Sequence, residues 1–116
     1  MTECWPKEAR ILRSRDFRKV QRHGRKWKSR DLLFLYLPSK EDRTRIGLVV
    51  SKKVGNAVVR NRSKRILREI FRRRLKEYSG KQMDVVVIVF SSFVYKNVLQ
   101  IERQCIKAMS NILKRK

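Results

Sequence analysis

Apolar positions along the chain change spacing several times. Asp31 to Pro38 (DLLFLYLP) alternates with apolar residues on both sides, Leu32, Phe34 and Tyr36 on one face and Leu33, Leu35 and Leu37 on the other. That pattern predicts a strand with one face packed on a helix and the other lining something. The polar run Ser39 to Thr44 reads as a turn, and Arg45 to Lys53 as the returning strand of an antiparallel pair. Residues 25–30 add a short strand ahead of it. Asp84 to Phe90 (DVVVIVF) is β-branched and apolar on both faces, hence a central, covered strand.

Helical spacing appears in three places. Arg15 to Arg22 follows Ser14 as an N-cap and stops at His23-Gly24, where glycine suits a left-handed C-cap. A long helix runs from Ala57 to Tyr78, opened by Gly55 and an Asn56 cap and ended by Ser79-Gly80. Asn97 to Lys114 repeats apolar residues at three and four, through Val98, Ile101, Cys105, Ala108 and Ile112. The first twelve residues, with Pro6 and scattered charge, read as a loosely ordered segment. The order helix, three strands, helix, strand, helix predicts one α/β domain over residues 1–116.

Charge changes the picture more than hydropathy does. Thirty-two Lys and Arg against ten Asp and Glu leave +22, an imbalance that calls for a polyanionic partner. No apolar run exceeds six residues, as in Val85 to Phe90, where a membrane-spanning helix needs about 20. The charged N-terminal stretch lacks the apolar core of a signal peptide, so the expected location is cytoplasmic with no membrane partner. Cys4 and Cys105 lack the paired spacing of a zinc site and read as reduced thiols, Cys105 buried on a helix face.

The positive charge concentrates in SKKVGNAVVRNRSKRILREIFRRRLK, residues 51–76. Between Arg60 and Lys76 stand nine basic residues and one acid, Glu69. Arg60, Lys64, Arg68, Arg72 and Lys76 recur every four residues, and like charges at that spacing cost a few tenths of a kcal/mol per pair. An ordinary solvated helix face would intersperse Glu among them. Lys52 and Lys53 precede the helix; Arg60, Asn61, Arg62, Lys64, Arg65 and Arg68 occupy its early turns. Guanidinium forks pair bidentately with phosphate, and an asparagine amide can reach a phosphate, a 2′-hydroxyl or a base. These eight residues are the candidate RNA-binding set. Phe17, Phe34 and Tyr36 lie among basic residues as candidate base-stacking rings, against the plainer reading of each as core.

A self-sufficient enzyme finds little support. His23 is the single histidine, at a helix end; the acids are scattered, with no metal-ligand spacing; the four glycines form no phosphate loop. No catalytic residue and no metal ligand is assigned.

The segment SKKVGNAVVRNRSKRILREIFR resembles the signature of the bacterial ribonuclease P protein family. RDFRKVQRHG is similar to that family's first helix, RIGLVVSKK to its hairpin strand and DVVVIV to the strand after the basic helix. The resemblance implies an α/β sandwich like the second domain of ribosomal protein S five, with a left-handed crossover through the basic helix where general topology favours the right-handed one in about 98% of cases. It implies the protein subunit of an endoribonuclease whose RNA subunit is the catalyst, removing the 5′ leader of precursor tRNA with magnesium and with no cofactor on the protein alone. The basic set would contact the catalytic RNA. A cleft between the first helix and a sheet face would hold the leader, with Phe17 and either Phe34 or Tyr36 lining it. Gln21 stands where many members carry a second aromatic. A ribosomal or other general RNA-binding protein is the alternative.

Overall fold

The computed structural model describes residues 14–39, 44–78 and 81–114. The expected loose N-terminal segment, Cys4 and the Ser79-Gly80 stop lie outside them.

Among the described residues three helices and four strands follow the predicted order: α1 (Ser14–His23), β1 (Arg25–Lys28), β2 (Leu32–Pro38), β3 (Arg45–Val49), α2 (Ala57–Arg73), β4 (Met83–Val89) and α3 (Val98–Lys114). Short 3-10 helices follow α2, at Leu75–Tyr78, and β4, at Ser91–Tyr95. Arg74 ends α2 at φ −114°, ψ 9°, so the single helix expected to reach Tyr78 is a helix and a tighter turn.

The sheet order is β1-β2-β4-β3. β4 runs antiparallel to β2 and parallel to β3, so β3 and β4 flank α2 as a crossover unit. This corrects the expected antiparallel pairing of β2 with β3. β4, buried at Met83 to Val87 and again at Val89, is apolar enough to be covered on both faces and takes the inner position between them. β3 also ends at Val49 rather than Lys53; Lys52 to Val54 form a turn closed by the Val54 amide donating to the Ser51 carbonyl at 3.1 Å.

Alternation on the strands sends side chains to two separate cores. Leu32, Phe34 and Tyr36 face α2 and α3, meeting Leu67, Phe71 and Ile101 in the main core. Leu33, Leu35 and Leu37 face the other way, with Val86 and Ile88, toward Val20 and Phe17 of α1. The first face is closed by two helices. Among the described residues the second is covered by one short helix, and Leu33, Leu37, Val49 and Ile88 stay only half-buried there.

α1 is held close by Gly24. A Cβ there would collide with the Val20 carbonyl oxygen and lie 2.9 Å from the Tyr36 carbonyl oxygen. Close approach of the helix end to β2, rather than a left-handed backbone, is what requires glycine. At the other margin Arg45 of β3 grips Asp84 of β4 with two bonds, Nε to Oδ1 at 2.9 Å and Nη2 to Oδ2 at 2.8 Å. Its Nη1 lies 3.5 Å from Asp16 of α1, so one guanidinium ties two parallel strands to the helix above them.

Candidate nucleic-acid interface

α2 begins where its sequence dictates. Asn56 is extended, and its Oδ1 accepts from the Val59 amide at 3.0 Å, satisfying one of the free N–H groups of the first turn. Ser63, Leu67, Ile70 and Phe71 turn inward. Ser63 is tolerated there because its hydroxyl donates to the Val59 carbonyl at 2.9 Å. At about 100° per residue, that inward stripe leaves Asn61, Arg62, Arg65 and Arg68 pointing away from the sheet. Lys64 lies on one flank, and Arg60, a turn ahead of Ser63, falls within the arc of the stripe at the start of the helix. The eight candidate residues therefore form a collar around the first turns rather than one row. Asn61, Arg62, Arg65, Arg68, Lys52 and Lys53 are exposed, and Arg60 and Lys64 half-buried.

The two halves of α2 differ in how their charge is met. In the distal half, Arg72 pairs with Glu69 at 2.7 Å. Arg73 and Arg74 approach Glu102 of α3 at 3.9 and 3.8 Å, and Arg74 also reaches Glu77 at 3.3 Å. The hydrogen bond from Arg72 holds the Glu69 carboxyl below its usual value. In the proximal half, Arg60, Arg62, Lys64, Arg65 and Arg68 have no acidic partner among the described residues. Uncompensated charge thus gathers at the start of the helix, where the backbone dipole adds to it.

The second candidate surface is the open sheet face. Phe17 belongs to it, beside Leu33, Leu37, Val49 and Ile88 over a floor of Val20, Leu35 and Val86. Phe34 and Tyr36 do not. They are 0% and 4% exposed and lie in the core on the far side of the sheet, so the expected stacking partners of Phe17 are corrected to structural residues. Alternation explains the exchange, since their neighbours Leu33, Leu35 and Leu37 occupy the face Phe17 shares. On the edge strand, Lys26 is paired with Leu35 and Lys28 with Leu33. Both ammonium groups are exposed and border the same face. The sequence signal for these residues is the second apolar parity of DLLFLYLP together with the alternating lysines of RKWK. Gln21 is exposed on α1.

The face has apolar side chains for bases and ammonium groups for phosphates. Asp16 and Asp84, the carboxylates bordering it among the described residues, are both engaged by Arg45. Among the described residues no three His, Cys, Asp or Glu side chains converge to hold a metal ion. The magnesium expected of the assembled enzyme has no ligand set among them. No helix of the described residues is long and apolar enough to cross a membrane.

Comparison with known proteins gives one consistent result. A family model described as Ribonuclease P matches residues 5–113. The ribonuclease P protein component of Desulforapulum autotrophicum is 44% identical over 84 residues, 72% of this chain and 71% of that protein. A Clostridium botulinum counterpart is 36% identical over 109 residues, covering 94% and 95%. Among solved structures, a Staphylococcus aureus RNase P protein mutant with defective mRNA degradation activity superposes with a TM-score of 0.84 at 31% identity, covering 91% of this chain and 89% of that one. The RNase P protein from Thermotoga maritima gives 0.76 at 30% identity, covering 92% and 96%. With the family model spanning nearly the whole sequence and the folds superposing, the chain belongs to the ribonuclease P protein family.

Proposed function

We propose that this chain is the RNA-docking and substrate-gripping subunit of a ribonuclease P whose catalyst is RNA. The carrying observation is the unneutralised charge at the start of α2. Five cations without acidic partners among the described residues, preceded by Lys52 and Lys53, are costly in the free chain and are relieved by a phosphate backbone. The guanidinium groups of Arg60, Arg62, Arg65 and Arg68 bind phosphates in pairs of hydrogen bonds, Lys64 supplies point charge, and Asn61 reads a sugar or base edge. The family membership supports an RNA partner, which we read as the catalytic RNA subunit.

The open sheet face carries the second role. Phe17 and the half-buried Leu33, Val49 and Ile88 offer bases an apolar bed, while Lys26 and Lys28 meet the phosphates of the same strand. A single-stranded 5′ leader fits this arrangement, because unpaired bases can be splayed onto a flat apolar surface and a duplex cannot. Precursor tRNA then binds more tightly than the mature product, which lacks that strand. Magnesium is held by the RNA, and the assembly works in the cytoplasm.

Reconstitution tests this. Cleavage of precursor tRNA is followed with the chain alone, with a ribonuclease P RNA alone, and with both. Cleavage stimulated only when both are present supports the reading; cleavage by the chain alone, or no effect on the RNA's activity, overturns it.

A further inference from the structure

A chain this highly charged displays a concentrated patch of apolar surface in one short segment. Val94, Tyr95, Val98 and Leu99 are all exposed, Tyr95 at 85%. Isolated exposed apolar residues are ordinary, but a contiguous group in so polar a sequence marks a contact. We propose that Tyr95 heads a stacking platform for an unpaired nucleotide of RNA, separate from the open sheet face and next to the basic turn Lys52–Lys53. The proposal rests on the reading of α2 as an RNA-docking helix.

Three observations support it. The segment is pinned, so the ring is held out by the fold and not by a slack loop. The Ser92 hydroxyl donates to the buried Asp31 carboxylate at 2.6 Å, Phe93 is 2% exposed in the main core, and the Lys96 amide donates to the Phe93 carbonyl at 3.1 Å. Beyond it, Asn97 and Gln100 cap the start of α3 reciprocally, Asn97 N to Gln100 Oε1 at 3.0 Å and Gln100 N to Asn97 Oδ1 at 2.9 Å. A preformed support loses little entropy on binding.

The platform also adjoins the docking charge. The Ser91 hydroxyl donates to the Lys53 carbonyl at 3.3 Å, which joins the 3-10 helix directly to the turn bearing Lys52 and Lys53. Lys96 follows Tyr95 in sequence. An exposed ring on a segment bonded to a lysine-bearing turn suits an unpaired nucleotide, ring on base and cation on phosphate.

Charge and size argue against a second copy as the occupant. Two chains of +22 repel, and a stable interface takes about 800 Å² and 20–30 residues a side, far more than four side chains supply.

Anisotropy titrations of the full chain with a short single-stranded oligouridylate, and with a duplex of the same length, test the platform. Tyr95→Ala is expected to weaken single-strand binding about tenfold. Tyr95→Phe keeps it, the salt dependence does not change because no phosphate contact is lost, and duplex binding is unaffected. Photocrosslinking of 4-thiouridine RNA should recover the Tyr95 peptide. If Tyr95→Ala binds like wild type while Arg62→Ala with Arg65→Ala weakens binding, the platform is wrong and the docking helix stands. If neither weakens binding, both fall. Self-association of the RNA-free chain that Tyr95→Ala abolishes makes the occupant a second copy and overturns the proposal.

Discussion

Asp31 and Gln104 are joined at two points, the Gln104 Nε2 donating to the Asp31 carboxylate at 2.6 Å and the Asp31 amide donating to Gln104 Oε1 at 3.0 Å. Ser29 adds a hydroxyl to the same Oε1 at 2.6 Å. The β1–β2 turn, α3 and, through Ser92, the 3-10 helix after β4 therefore share one polar knot around the buried Asp31. Removing the amide in Gln104→Ala leaves a carboxylate of 0% exposure with one side-chain donor fewer. A loss of about 1–3 kcal/mol is expected by chemical denaturation. An unchanged midpoint would show that water replaces the amide at no cost.

The two aromatic candidates on opposite sides of the sheet predict opposite phenotypes. Phe34→Ala empties part of the main core and should cost about 3–5 kcal/mol. Phe17→Ala, on the half-open face, should change the melting temperature far less and lower affinity for a single-stranded leader. Thermal melts of the pair, alongside leader binding, check both halves.

Within α2 the expected split is by position. Arg62→Ala with Arg65→Ala should weaken RNA binding and leave stability within about 0.5 kcal/mol, as for surface sites without special contacts. Arg73→Ala with Arg74→Ala breaks the contacts to Glu102 and Glu77 and should affect RNA binding less. If six to ten phosphates are neutralised, affinity falls by about 10³–10⁵ between about 50 and 200 mM salt. A flat salt response would place most of the charge outside the interface.

Cys105 is a packing residue with an inert thiol. Burial, then the nearby Glu102 carboxylate, pushes its ionisation from 9.0 up to about 12, and burial raises the Tyr78 phenol as well. Below 9.0 the thiol is neutral in both folded and unfolded chains, and its contribution is complete. Between 9.0 and about 12 the unfolded chain releases the proton and the folded chain keeps it, so stability falls as pH rises. Alkylation at about pH 8, read by peptide mapping, should spare Cys105 in the native chain and modify it after denaturation.

Local chemistry makes much of this fold legible in the sequence. The Asn56 cap, the apolar period of α3 with Cys105 inside it, and the covered character of β4 each depend on residues within a few positions of one another. What is not legible depends on partners far away in sequence. Arg45 finds Asp84 and Asp16 only because β3 lies beside β4, and nothing between Pro38 and Arg45 announces that β4 will separate β2 from β3. DLLFLYLP is apolar at both parities, so alternation groups Phe34 with Tyr36 without saying which group meets α2 and α3. The larger rings go to the closed core, where their area is fully removed from water. The quiet distal half of α2 is hidden for the same reason, since Glu102 approaches Arg73 and Arg74 from another helix.

The most direct measurement is the ratio of affinities for precursor and mature tRNA, determined for the assembled RNA–protein complex and for the RNA alone. A ratio favouring precursor that appears only with the chain present, and shrinks with Phe17→Ala, is the predicted result. Equal affinities with and without the chain would contradict a leader-holding role for the open sheet face.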